Sequence, residues 1–240
     1  MMRIPVLRRN DREENMELVT PQSLAETVDA INEAFFYGRP LSKADRERAA
    51  KWIAGRQGLP RSYAGMFAPT DLDYKNGVKL FTGEKVSTGA ATAHILGEEA
   101  CRALILLGVE TDDVTQALSR ASEGILSRLW SFDRIAGTYC CGTCTCSYWR
   151  HLAAGGLRNG ERELAAGISD LKRHRDGAGR WRRYPFYYAL LALSEIDLSV
   201  ATRELKYAGP VLERLAARTP REDRYGIRRH DLVERALDRI

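Results

Sequence analysis

The chain predicts an all-α fold of about nine helices in pairs, an α/α-toroid or a short α/α-solenoid. Three observations carry this. Apolar residues recur at helical spacing along most of the sequence, no run sustains the alternation of a β-strand, and the connections between helices repeat. The 240 residues are 44% hydrophobic and 29% charged, apolar enough to bury a core and argue against disorder.

Residues 1–18 mix charges without periodicity and read as a flexible arm ahead of one domain over 19–240. The first helix rests on Leu24, Val28, Ile31 and Phe35, with Pro21 at its start and Gly38 and Pro40 at its end. A second fits 42–57 with Ser42 as N-cap. Residues 58–86 are rich in Gly, Pro, Asp and Thr and read as one long loop, a kind of segment that is often functional. Helices then fit 88–107 and 112–130, the latter on Val114, Leu118, Ala121, Ile125 and Leu129, followed by 143–154, 160–174, 185–196, 200–217 and 229–239.

Four aromatic residues mark the repeated connection: Tyr63, Tyr139, Trp181 and Tyr225. Their spacing is about 40 residues, except that the loop over 64–86 lengthens the first interval. Ten positions before them stand Ile53, Leu129, Leu171 and Leu215, and two positions before them Arg61, Gly137, Gly179 and Asp223. Each unit therefore ends a helix, turns, plugs the turn with an aromatic and begins another helix.

Residues 48–63, RAAKWIAGRQGLPRSY, resemble the QW repeat of squalene–hopene and oxidosqualene cyclases through Arg48, Ala49, Trp52, Ile53 and Gln57. Arg61 stands where that repeat has glycine, and Tyr63 where it has tryptophan. The stretch DGAGRWRRYPFYYALLAL resembles the end of the same repeat through Gly179, Trp181, Pro185 and Phe186. The resemblance covers residues 42–239 and implies the α/α-toroid of terpenoid cyclases and protein prenyltransferases. It implies inner helices around a central apolar cavity, an apolar, isoprenoid-like small molecule as ligand or substrate, and structural roles for Gln57, Tyr63 and Trp181. The acid motif of class II cyclases is reduced to Asp71-Leu72-Asp73, and the aspartate-rich magnesium motif of class I enzymes is absent.

Four of the 5 cysteines crowd into one segment: Cys140, Cys141, Cys144 and Cys146. Cys141-Gly-Thr-Cys144 opens a helix, where free backbone N–H groups and the helix dipole favour thiolate. Three readings stand: a dithiol redox pair, small buried thiols packing a helix start, or a metal site, with zinc the expected ion. For the metal site, Cys141, Cys144 and His151 are the expected ligands, and His94 is a further one from the neighbouring helix.

Helical spacing groups His94, Glu98 and Cys101 on one inner face, Cys144, Tyr148 and His151 on a second, and Tyr184, Tyr187 or Tyr188, and Glu195 on a third. For catalysis the expected bases are His94 and His151, with Glu98 and Glu195 as acid or orienting groups. Tyr148, Tyr187, Tyr188 and Arg150 are the expected ligand-binding residues.

The net charge is +5, with a local excess at Lys172, Arg173, Arg175, Arg180, Arg182 and Arg183. So mild a charge makes a solvated basic loop the expectation and nucleic acid an unexpected partner, although a non-catalytic repeat scaffold with a basic face is a further reading. The longest strongly apolar run, Ala103 to Val109, falls far short of the ~20 residues that cross a bilayer. The N-terminus lacks the apolar stretch of a signal peptide, so the expectation is a cytoplasmic protein with reduced thiols.

Overall fold

The computed structural model describes residues 17–131 and 133–240, so most of the arm expected over 1–18 lies outside the described residues. Leu18 itself is buried in the core. The described residues form ten α-helices and no sheet: α1 (Leu24–Phe36), α2 (Lys43–Ala54), α3 (Asp71–Asn76), α4 (Gly89–Leu107), α5 (Asp112–Trp130), α6 (Gly142–Ala153), α7 (Gly160–Leu171), α8 (Phe186–Glu195), α9 (Ser199–Ala216) and α10 (Arg224–Leu237).

The helices separate by amphipathicity. α4, α6 and α8 are buried on nearly every face. α5, α7 and α9 bury one stripe each, such as Val114, Ala117, Ala121, Ile125 and Leu129 on α5, and expose a charged back. The first set packs in succession, α1 on α4, α4 on α6, α6 on α8 and α8 on α10, with α2, α5, α7 and α9 outside. The succession closes on itself through Arg228 of α10. Its guanidinium donates to Asp29 Oδ1 at 2.8 Å and Oδ2 at 2.9 Å and also reaches Glu33, both on α1.

The connections repeat in backbone as well as sequence. Arg61 (φ 71°), Gly137 (φ 75°) and Gly179 (φ 89°) all adopt the left-handed region two positions before their aromatic plugs. Asp223 does not: with φ −74° it is the N-cap of α10, accepting from the N–H groups of Tyr225 and Gly226. That cap explains why α10 begins at Arg224 rather than near 229. The residues expected to brace the turns do so. Gln57 donates to the Gly65 carbonyl at 2.8 Å, the hydroxyls of Tyr63 and Tyr139 lie 2.7 Å apart, and Trp181 Nε1 donates to Glu204 at 2.9 Å.

The expected loop over 58–86 contains α3 and serves the fold. Met66, Phe67, Val78, Leu80 and Phe81 are buried. Asp73 of the Asp71-Leu72-Asp73 run accepts from the Ser23 hydroxyl at 2.6 Å and from the Leu24 N–H at 3.0 Å. It thereby satisfies the first orphan donors of α1 and complements that helix's dipole.

Candidate metal and thiol site

α4 and α6 meet through charged groups inside the core. Glu98 is fully buried and shared between two imidazoles: His94 Nε2 lies 3.3 Å from Oε1 and His151 Nδ1 2.5 Å from Oε2. Burial alone would raise the Glu98 pKa, but the charge and hydrogen bond of His151, with the bond from His94, outweigh it and draw it down to about 2. Each imidazole keeps one nitrogen without a partner, Nδ1 on His94 and Nε2 on His151, and these are the unsatisfied buried side-chain polar atoms among the described residues. Such atoms are costly and call for a physical reason.

His94 has one at hand. Its donor nitrogen and the sulfurs of Cys140 and Cys144 lie within 4.8 Å of one another. The ring is flanked by Tyr139, with centroids 4.0 Å apart, and Tyr63, at 4.7 Å. Two of the aromatic plugs thus wall the site as well as bracing their turns. The Tyr139 N–H donates to Thr145 Oγ1 at 2.8 Å and Trp149 Nε1 donates to the Gly137 carbonyl at 2.6 Å. The stretch leading into the cysteine segment is therefore pinned to α6 at Gly137 and Tyr139.

All five cysteines are unpaired, with Cys140 and Cys141 exposed and Cys101, Cys144 and Cys146 buried. Cys141 is the N-cap of α6, its sulfur accepting from the Cys144 N–H at 3.5 Å. The Cys144 side chain, together with the N–H groups of Cys144 and Thr143, pulls the Cys141 thiol down to about 5 against the opposing effect of burial. The Cys144 thiol is pushed far up, because it donates to Cys141 and is desolvated.

Of the expected metal ligands, Cys144 and His94 lie together, with Cys140 beside them, whereas Cys141 caps α6 and His151 is turned to Glu98. A rise of about 1.5 Å per residue separates His151 from Cys144 along α6 by two helical turns, and its Nε2 packs against Gly156, where a Cβ would come within 2.1 Å. Cys140 escaped sequence reasoning because it precedes the helix. Its signal was the unusual adjacency of two cysteines.

The remaining expected site residues divide. Arg150, Tyr188 and Glu195 converge with Glu99, Arg102 and Asn32 in a second buried network. Arg150 Nη1 donates to Glu99 at 2.5 Å, Arg150 Nε to Glu195 at 2.8 Å, Arg102 Nη2 to Glu195 at 2.8 Å and the Tyr188 hydroxyl to Glu99 at 2.5 Å. Burial opposes ionisation of Glu195, but Arg102 and Arg150 overcome it and hold its pKa below the ordinary carboxylate value, which suits a structural anion rather than a proton donor. Tyr148 points elsewhere, to Glu163 at 3.3 Å, and Tyr187 lies under Arg229 of α10.

The void beside Asn32, Glu99 and Tyr188 holds about 20 Å³, room for one water. A larger open groove of about 380 Å³ lies between α5 and the turn after α6, lined by Leu118, Ser122 and Leu157 among others. The basic segment spends much of its charge internally: Arg175 pairs with Glu204, Arg173 and His174 with Asp170, and Arg180 lies over Phe186. No described helix is long and apolar enough to cross a membrane. Comparison with known proteins finds no family model, no curated protein and no solved structure that matches the chain.

Proposed function

We propose that the chain binds a thiophilic divalent transition ion, zinc fitting best, through His94, Cys140 and Cys144. The observation that carries this reading is the convergence of one imidazole nitrogen and two unpaired sulfurs within 4.8 Å. Bonds of about 2.0–2.3 Å to zinc hold tetrahedral donors roughly 3.5 Å apart, so the ion would draw the cluster in by about an ångström. The orphaned Nδ1 of His94 supports the reading, since its other nitrogen is oriented by Glu98. A carboxylate behind a ligating histidine is the usual outer support of such sites. Three protein donors leave a fourth position for water or a substrate.

Of the functions left open by the sequence, an apolar ligand held among the inner helices gains less support, because that space is occupied by the Arg150–Glu99–Glu195 network. The test is metal loading of the purified chain. One equivalent of zinc is expected by elemental analysis, and cobalt substitution should produce thiolate-to-cobalt charge-transfer absorption. Cys140→Ser and His94→Gln should each lose both. Unchanged metal content in both variants would sink the assignment.

A further inference from the structure

The groove between α5 and the turn after α6 belongs to neither the metal cluster nor the buried network. We infer that it is the contact surface of a two-fold symmetric dimer, in which Trp130 of each copy enters the groove of the other. The inference is independent of any metal.

α5 carries two adjoining stripes. Val114, Ala117, Ala121, Ile125 and Leu129 face the core. Thr115, Leu118, Ser119, Ser122 and Leu126 form the second, which is one wall of the groove of about 380 Å³. Trp130 follows Leu126 by four residues and so continues this second stripe at the end of the helix. It is 80% exposed, and Ile135 shortly beyond it is 54% exposed. Within the chain α5 packs on α2 and α4, and α7 on α6 and α9. The groove thus lies where the outer layer passes from α5 to α7.

The surface is complementary to itself. A knob and a hole on one helix are what an isologous contact requires, because a two-fold axis brings the same patch to both copies. Two α5 helices laid antiparallel about an axis at Ser122 set Trp130 of one opposite Thr115 of the other, and Leu126 opposite Leu118. A large ring then meets a small side chain, the alternation that lets facing layers interdigitate. The Ser122 hydroxyl already donates to the Leu118 carbonyl at 2.8 Å, so burial at the axis leaves it satisfied. Charge agrees with this pairing. Arg158 lines the groove and Asp133 lies three residues past Trp130. Both are exposed, and neither has an ion-pair partner among the described residues. The exchange brings Arg158 of one copy to Trp130 and Asp133 of the other, adding a cation–π contact and opposite charge. Tryptophan and arginine are the residues that most often anchor protein interfaces.

The test is the oligomeric state of the full chain, kept in reductant so that the exposed Cys140 and Cys141 cannot join copies. Sedimentation velocity from micromolar to submillimolar concentration should show a species of twice the chain mass growing with concentration. Trp130→Ser removes a side chain that faces water in the single chain. It should leave urea denaturation of the dilute protein unchanged and weaken the dimer roughly tenfold or more. Ser122→Arg should abolish the dimer by filling the groove at the axis. Arg158→Asp should weaken it, and Asp133→Arg added to the same chain should restore it, a rescue that a folding defect would not show. A monomer at every concentration would overturn the inference and leave the groove to another occupant. A dimer indifferent to both Trp130→Ser and Ser122→Arg would overturn it too, by placing the contact on another face.

Discussion

Glu98 accepts from His94 Nε2 across one turn of α4, and the other ring nitrogen, Nδ1, is buried without a hydrogen-bond partner. Glu98→Gln keeps the shape of the side chain but removes the charge that orients both imidazoles. Zinc affinity should fall about 10–100-fold, read by competition with a chromophoric chelator. An unchanged affinity would show that His94 needs no support from behind.

Arg150 bridges Glu99 on α4 and Glu195 on α8 from its place on α6, with 2% of its side chain exposed. Arg150→Met takes the arginine from Glu99 in the core and leaves Glu195 with Arg102, and should cost about 3–5 kcal/mol by urea denaturation. Arg150→Lys should recover only part of that loss, since a single ammonium lacks the planar fork that reaches two partners.

Glu195 carries a depressed pKa, so its pairing stabilises the fold above the ordinary value of 4.5 and that stabilisation is lost as pH falls through the lower folded value. Denaturation midpoints measured downward from neutral pH should drop through this window in wild type. Glu195→Gln should start lower and show a shallower acid limb. Parallel limbs in the two proteins would remove Glu195 from the acid response.

Gly137 combines a φ of 75° with a wall: a Cβ there would fall 2.0 Å from the Glu163 carbonyl oxygen. Gly38 has a similar φ of 63° and open space around it. Gly38→Ala should therefore cost about 1–2 kcal/mol, the left-handed penalty alone. Gly137→Ala should cost roughly 3 kcal/mol or more, because backbone on α7 must move. Equal losses would mean that the turn relaxes away from α7.

The helices were legible because their stripes and caps are local. Ser42 and Gly38 mark ends that the structure keeps within a residue or two. α3 was not legible: six residues in a Gly- and Pro-rich stretch show no periodicity, although the Thr70–Asp73 capping box that starts it is local, and Asp73 also reaches back to α1. At the site, helical spacing correctly grouped His94 with Glu98, one turn apart. It could not show that Glu98 would also take His151 from another helix, because that contact belongs to the packing of α4 on α6. Glu99 and Arg102 escaped for a related reason. Their charges in the otherwise apolar stretch of α4 were a signal of a buried network, but their partners Asn32, Arg150 and Glu195 sit on three other helices.

The clasp between Arg228 and Asp29 joins residues 199 positions apart. A ribosome releases Asp29 199 residues before Arg228. Throughout synthesis, α1 and α8 must hold their inner faces without the helix that covers them. Closing so long a loop is entropically slow compared with forming the local pairs. The order of translation thus seats α10 after the other nine described helices, and a nascent chain stalled before residue 224 would lack the clasp between α10 and α1.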